Sequence, residues 1–430
     1  MAAGRSKRMK PIEDKNFLNF AGKPLIQHQL ELLHESGLDD VVVVGGEHNM
    51  EKIRELGENL KMSVSVIEQE DLDLGMCGAI LSAKNLLADE PVVIFSSNDV
   101  VEKSAFESIK KAYEEGDASG YLLGYKVSQY FPGGYLETDS NGFISNIVEK
   151  PGEGNEPSDL VNLVVHMHKD PQKLISYLEK TGSDNDDKYE VALAEMMRDG
   201  VKFKAVEYDG FWHPVKFPWH VQKVFEYYFD KADKFVSDKA QIAQGAVVKG
   251  DVIIEEGVKI FEGAIVNGPC YIGKNTVIAN NALVRGSNIG ADCVIGFSTE
   301  VARSYLGSCV WTHSNYIGDS VIENNVSFGA GTVIGNLRLD ECEISIDCDG
   351  NKFGTGGNKF GAIIGSDVRV GVNTSFMPGV KVGKGSFVGA GIVIAKNIPK
   401  KSFVRGVFEL KISENKCGVH GGREEFKKKL

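Results

Sequence analysis

The first residues able to do chemistry lie at the start of the chain. Ala2-Ala3-Gly4-Arg5-Ser6-Lys7-Arg8-Met9 is followed by Lys15 and by Gly22-Lys23-Pro24. A small, glycine-bearing turn lets backbone N–H groups approach a phosphate and form an anion-binding hollow. Arg8 and Lys15 add fixed positive charge beside it. The chemistry this suits is cradling a triphosphate. The segment lacks GxxxxGK[ST], so it is not a P-loop. On residue types alone it reads equally well as a basic surface stretch.

The elements that must position this turn follow from periodicity. Helical patterns over 24–35, 50–59, 78–87 and 103–115 alternate with strand patterns over 40–44, 63–68, 91–96 and 120–127. Such alternation predicts an α/β domain with a parallel sheet. Ligands of such sheets sit at the strands' C-terminal ends. Residues 219–236 are amphipathic and predict a linking helix. Acidic runs at 68–73 and 184–187 read as solvated faces.

The chain changes character near residue 237. Of its 49 glycines, 19 fall in residues 1–236 and 27 in 237–412. Every sixth residue from Ile242 is aliphatic: Val248, Ile254, Ile260, Val266, Ile272, Ile278 and Val284. The frame then slips to Ile289, Ile295 and Val301. Another phase holds Tyr316, Ile322, Phe328 and Ile334, and a last one runs from Ile364 through Val370, Phe376, Val382 and Val388 to Ile394. A period of six is neither helix nor single strand. It predicts a prism of three short strands per coil, its aliphatic residues pointing inward, eight or nine coils long and about 40 Å in length. Residues 336–358 break the period and read as an extruded loop.

Composition narrows the function. The 430 residues carry 48 basic and 60 acidic side chains, a net charge of −12, which argues against a nucleic-acid partner. No apolar run approaches the ~18–20 residues of a membrane span, and no hydrophobic signal-peptide segment follows the N-terminus. Seven cysteines are scattered and never form CxxC, which argues against a disulfide framework or a zinc site and for a reducing cytoplasm.

At the opening turn the chain resembles the sugar-1-phosphate nucleotidylyltransferases, whose pattern is AAG-x-G/S-x-R-M, then Lys, then GKP. Further matches fall in order. Gln69 and Leu74-Gly75-Met76 resemble the nucleobase-reading segment, and Ser97-Asn98-Asp99 the metal-binding one. Gly133-Gly134-Tyr135, Val148-Glu149-Lys150-Pro151 and Asn162 resemble the sugar-contacting segments. With the prism, the architecture is similar to the bifunctional GlcNAc-1-phosphate uridylyltransferase/glucosamine-1-phosphate acetyltransferase type. The resemblance implies a Rossmann-like α/β domain over 1–218, a linker helix over 219–236, a left-handed parallel β-helix over 237–412 and a basic tail over 413–430. It implies a nucleoside triphosphate held by Ala3, Gly4, Arg8 and Lys15. Gln69 and Gly75 would read a pyrimidine, uridine before thymidine. Gly134, Glu149, Lys150 and Asn162 would bind a sugar-1-phosphate, and Asp99 would bind Mg²⁺. The product would be a UDP-GlcNAc, UDP-glucose or dTDP-glucose type of nucleotide sugar. In the prism, His313-Ser314-Asn315-Tyr316-Ile317-Gly318-Asp319 resembles an acetyltransferase motif. There His313 would be the general base, with Tyr316, Asn336 and Lys359 around it and acetyl-CoA as cosubstrate. A homotrimer through the β-helix is implied as well.

Three departures from the family stand out. Relatives carry a hydrophobic strand ahead of the Ala2-Ala3-Gly4 motif, which the resemblance therefore implies here as missing. Pro214 and Lys216 stand near the place of a second metal ligand, so either Asp99 and phosphates alone hold the metal or Lys216 replaces part of its charge. Ser327 and Val372 replace Asn and Ser near the expected CoA path. Plainer readings make Asp99 a cap for the helix near Lys103, Glu149–Lys150 a solvated pair and His313 a hydrogen-bonded structural residue. Two other functions compete: an acyltransferase in which only the prism works, and a non-catalytic regulatory or scaffold subunit. Arg8, Lys15 and Asp99 occurring together argue against the last.

Overall fold

The computed structural model describes residues 1–182, 187–348, 350–407, 409–416, 424 and 427–428. The expected acidic run at 184–187, except Asp187, and most of the basic tail lie outside them. Seven helices are described: α1 Leu25–Glu35, α2 Met50–Glu58, α3 Gly75–Ala83, α4 Lys103–Glu115, α5 Pro171–Lys180, α6 Lys188–Arg198 and α7 His220–Lys231.

The N-terminal sheet is mixed rather than parallel. Strand Phe203–Tyr208 runs parallel to Gly120–Lys126, but Leu160–His168 runs antiparallel to Gly120–Lys126 and to Val92–Phe95. The reason lies in the connections. Between Gly120–Lys126 and Leu160–His168 the chain makes a hairpin, Gly134–Thr138 on Ile144–Glu149, and a parallel pair would need a crossover helix there. Strand Asp40–Gly45 pairs only with Ser63–Glu68, as a separate parallel piece. Met1 and Ala2 tie the two pieces: the Met1 amino group donates to the Phe95 carbonyl (2.8 Å) and Ala2 N–H to that of Val44 (2.7 Å). Beyond them a gap of about 460 Å³ separates Val41–Val44 from Val92–Phe95. Among the described residues no strand fills it.

The linking helix α7 is shorter than its amphipathic pattern. Ala232 turns extended (φ −78°, ψ 149°), and Phe235–Val236 already forms the first strand of the prism.

The prism has two walls of eight strands each. The third wall is two runs of four, joined where Trp311 bridges Val294 and Ser327. All strand pairs along its axis are parallel and in register, so aliphatic residues stack: Ile254 on Ile272, Ile260 on Ile278, Val266 on Val284. Thirty-three buried residues form this one core. Each Val, Leu, Ile or Phe among them contributes roughly 1.5–3 kcal/mol over its exposed state. The slip after Val284 is a coil one residue shorter, with Val301 next in the stack. The Tyr316 phase is corrected by one residue: Ile317, not Tyr316, stacks between Val301 and Ile334 and is buried. Tyr316 lies on the outer surface of the wall, beside Glu300 and Val333 in the neighbouring strands. Ile242, at the open end, is exposed. Glycine fills only some left-handed corners; Asn275, Asn281, Asp292, Asn325, Asp367 and Asn373 take the same conformation elsewhere. A short polar side chain tolerates it best among non-glycine residues.

Candidate active sites

The opening turn is a 3₁₀ turn, Lys7–Met9, entered through Ser6 in the left-handed region (φ 50°). It lines a cavity of about 620 Å³ that also takes in Gln69 and Ser96, just past the ends of strands Ser63–Glu68 and Val92–Phe95, together with Ala3, Gly4, Arg8, Lys15, Gly75, Glu149, Lys150 and Lys216. Nothing lies within 4 Å of where a Cβ on Gly4 would sit, so backbone there is open to a ligand.

Lys15 is held from the far side. Its Nζ donates to the Val215 carbonyl (2.8 Å), and only 7% of the residue is exposed. Burial pulls its pKa down to about 7; Asp99 opposes the fall, and Arg8 and Lys216 add to it. Burial likewise brings Lys216 to about 8. Lys216 also lies 4.2 Å from the Phe131 ring centre. It lies in the same cavity wall as Arg8 and Lys15.

Asp99, Gly134 and Asn162 are not in that wall; Asp99 follows Asn98, which is, and Gly134 lies beside Glu149. Gly134 pairs with Glu149 across the hairpin, and a Cβ on it would meet Glu149 Oε2 at 3.0 Å and Asn162 Cβ at 3.6 Å. Glu149 and Lys150 form an ion pair (2.8 Å) beside the cavity. The two His rings behind Asn162 are informative. His166 Nε2 lies 2.9 Å from Asn162 Oδ1, and His166 Nδ1 and His168 Nε2 lie 2.8 and 2.9 Å from Tyr189 Oη. An amide oxygen only accepts, so His166 Nε2 carries the proton. Its Nδ1 then accepts from the Tyr189 hydroxyl, whose oxygen accepts from His168 Nε2–H. Burial holds both rings neutral, at about 3 and about 4. Tyr189 reaches the cavity wall. Neither histidine nor Tyr189 was found from sequence, because no motif marks them.

Asp99 sits in strand Asp99–Val101, and α4 starts after Glu102 without a side-chain cap, so Asp99 is not a helix cap. Its Oδ1 accepts from Trp212 Nε1 (2.9 Å), and its cross-strand neighbour is Pro214. No three His, Cys, Asp or Glu side chains cluster to hold a metal among the described residues. One carboxylate fits Mg²⁺ only where the ion keeps phosphate oxygens and waters as its other ligands, as this ion commonly does.

Gln69 is 4% exposed and both its amide hydrogens are committed: Nε2 donates to the carbonyls of Asp71 and Gly75 (2.9 Å each). Here it fastens the loop, and only its Oε1 is left for a base.

In the prism, His313 is exposed, and among the described residues its ring has no hydrogen-bond partner. Asn336 Nδ2 donates to Tyr316 Oη (3.2 Å) and to Asp319. Arg303 holds Asp319 through two bonds, 2.6 and 2.7 Å. Lys359 pairs with Leu337, next to Asn336. Arg303 also belongs to this group and carries no sequence signal, whereas Asp319 closes the motif that begins at His313. Their contact depends on coil register, which spacing along the chain does not display.

A basic, glycine-bearing turn lines a cavity of an α/β domain that is continued by a hexapeptide prism. Residues 1–215 match the Nucleotidyl transferase family model, and residues 251–286 match the Bacterial transferase hexapeptide (six repeats) model. A bifunctional sugar-1-phosphate nucleotidylyltransferase/acetyltransferase of Sulfurisphaera tokodaii is 33% identical over 94% of this chain and 98% of its own length. A bifunctional protein GlmU of Methanocaldococcus jannaschii is 32% identical over 94% and 96%. One of Methanococcus maripaludis (strain C7) is 34% identical over 97% and 98%. The chain belongs to the nucleotidyl transferase family, in the branch that carries a C-terminal left-handed β-helix of hexapeptide repeats. It is an enzyme, a nucleotidyltransferase. No described helix is long and apolar enough to cross a membrane.

Proposed function

We propose that the chain joins a nucleoside triphosphate to a sugar-1-phosphate, releasing pyrophosphate and a nucleoside diphosphate sugar. The carrying observation is the meeting of Arg8, Lys15, Lys150 and Lys216 around one cavity, with Glu149 among them. An oxygen of the sugar phosphate attacks the α-phosphorus, and the bond to the bridging β-phosphate oxygen breaks. No side-chain nucleophile is required; the protein supplies alignment and positive charge. Arg8 and Lys15 hold the triphosphate with the Ala3–Gly4 backbone. Lys150 and Lys216 face the sugar phosphate. Glu149 and Asn162 bond sugar hydroxyls, the amide of Asn162 being oriented by His166. Gln69 Oε1 accepts from a pyrimidine N–H, uridine before thymidine. GlcNAc-1-phosphate is the first candidate sugar and glucose-1-phosphate the second. Asp99 would hold Mg²⁺, which when bound neutralises phosphate charge.

A second activity is supported by the exposed His313 ring, three residues before Tyr316 in the motif, and by the bonded group of Tyr316, Asn336, Asp319 and Arg303. There His313 takes the proton of a sugar amine as it attacks the acetyl-CoA thioester; the amide forms and CoA leaves. The chain works as a homotrimer through the prism, in a reducing cytoplasm. The test is a matrix of nucleoside triphosphates against sugar-1-phosphates with Mg²⁺. Pyrophosphate release is expected with UTP and GlcNAc-1-phosphate. Absence of release with every pair removes the reading. CoA release that requires His313, without pyrophosphate, supports the prism-only alternative.

A further inference from the structure

The prism reaches back to the opening turn. Ile322 stacks on Ile364, so one coil contains a long excursion, and its hairpin pairs Ser345–Cys348 with Asn351–Gly354. A hairpin projecting from a prism would normally be wet on both faces. Here Ile344, Ile346 and Cys348 are buried, alternating with exposed Ser345 and Asp347. They share one core with Met9 and Ile12 of the opening segment and with Phe217. Two contacts lead to Arg8. Cys348 Sγ donates to the Arg8 carbonyl (3.4 Å), while Lys381 Nζ donates to the same sulfur (3.3 Å). Phe353, opposite Ile346 in the hairpin, lies 5.0 Å from Phe217, and the Arg8 guanidinium lies 5.3 Å from the Phe217 ring centre. The segment just after the turn is also gripped by the prism: Glu13 N–H donates to Glu323 (3.1 Å), and Lys384 pairs with the Glu13 carboxylate (2.7 Å).

We infer that this hairpin is a positioning element for nucleotidyl transfer. Phe353, through Phe217, sets the Arg8 guanidinium, and Cys348 fixes the Arg8 backbone. The nucleotide site is therefore completed by the β-helix of the same chain. The inference rests on the triphosphate role proposed for Arg8. A covalent tether alone would not need this: α7 already joins the two parts. The hairpin adds an aromatic ring, tilted by 45° against the Phe217 that lies beside the guanidinium, which is a geometric constraint on a single ligand group.

Steady-state kinetics on the full-length chain test it through a double-mutant cycle. Phe353→Ala is expected to raise KM for the triphosphate about tenfold while KM for the sugar-1-phosphate stays within about twofold. In an Arg8→Ala background, adding Phe353→Ala is expected to change KM by less than about twofold. Lys352→Ala, exposed on the same hairpin, is expected to leave both constants unchanged. Equal effects of Phe353→Ala in both backgrounds, or no effect with Arg8 present, overturn the inference. If Arg8→Ala itself leaves KM for the triphosphate unaltered, the proposed role of Arg8 falls and the inference with it. If Arg8→Ala raises it and Phe353→Ala does not, only the inference falls. Should Phe353→Ala melt before the assay temperature, Phe353→Leu keeps the bulk and loses the aromatic edge. It is expected to show a smaller rise with the same dependence on Arg8, and no rise overturns the inference.

Discussion

Lys15 is a buried cation placed where an anion must arrive. With its pKa drawn to about 7 by burial, it is about half charged at neutral pH before substrate binds. A triphosphate beside it favours the charged form. Binding at pH 8 is therefore expected to take up protons, read by calorimetry in buffers of different ionisation enthalpy; Lys15→Met should abolish most of that uptake. Removing the group is expected to slow turnover at least about 100-fold in Lys15→Ala, as for loss of one electrostatic stabiliser. Asp99→Ala is expected to do the same, with both rates read as pyrophosphate release. His166 and His168 set a different pH limit. Their folded pKa values, about 3 and about 4, lie below the unfolded 6.5. The unfolded chain then binds more protons, so their contribution is complete above pH 6.5 and is lost as pH falls toward 4 and 3. Each ring costs up to about 1.4 kcal/mol per pH unit across that window. The melting temperature should drop between pH 6.5 and 4.5, and less steeply in His166→Gln. These rings were not legible as site residues. Their roles come from sheet register and a bulge between Leu163 and His166, not from a motif.

At the scale of elements, the period of six carried almost the whole prism, because each inward aliphatic must sit over the one a coil before. It failed at one strand, where two neighbouring residues are both large and apolar. Register decides between them: Ile317 is 1% exposed within the stack, whereas Tyr316 bonds to Asn336 outside it. Ile317→Ala is expected to cost about 2–5 kcal/mol by opening a cavity. Tyr316→Ala should cost about 1 kcal/mol or less. Comparing the two melting temperatures checks the assignment; equal losses would restore the original phase. The α/β half was legible as alternating elements but not as a mixed sheet, since strand direction depends on connections that periodicity does not show. Gln69 is a similar case. Its type suggested base reading, but only the folded loop reveals that its donors are already used.

Across the whole molecule, the two halves share a core that domain arithmetic does not anticipate. Gly22 of the Gly-Lys-Pro motif has φ 92°, and a Cβ there would come 2.9 Å from Tyr271 Oη of the prism. Asn19 N–H donates to Tyr305 Oη (2.9 Å), and Ala21 N–H to Asn288 Oδ1 (3.2 Å). The motif thus serves docking in this chain as well as the nucleotide half. The prism also leaves apolar side chains outside, with Phe387, Val393 and Phe403 at 49%, 67% and 62% exposure. Phe387 and Phe403 pair on one wall of the prism; exposed apolar patches mark association, and light scattering is expected to give three times the 46.8 kDa of one chain. Phe403→Glu should shift that mass downward. The central claim is attack by a sugar phosphate on the α-phosphorus of a nucleoside triphosphate, and label transfer measures it directly. With UTP labelled at the α-phosphorus, GlcNAc-1-phosphate and Mg²⁺, the label should appear in a nucleotide sugar, while a γ-label should leave in pyrophosphate. A γ-label found on the sugar, or no movement of either label, would contradict it.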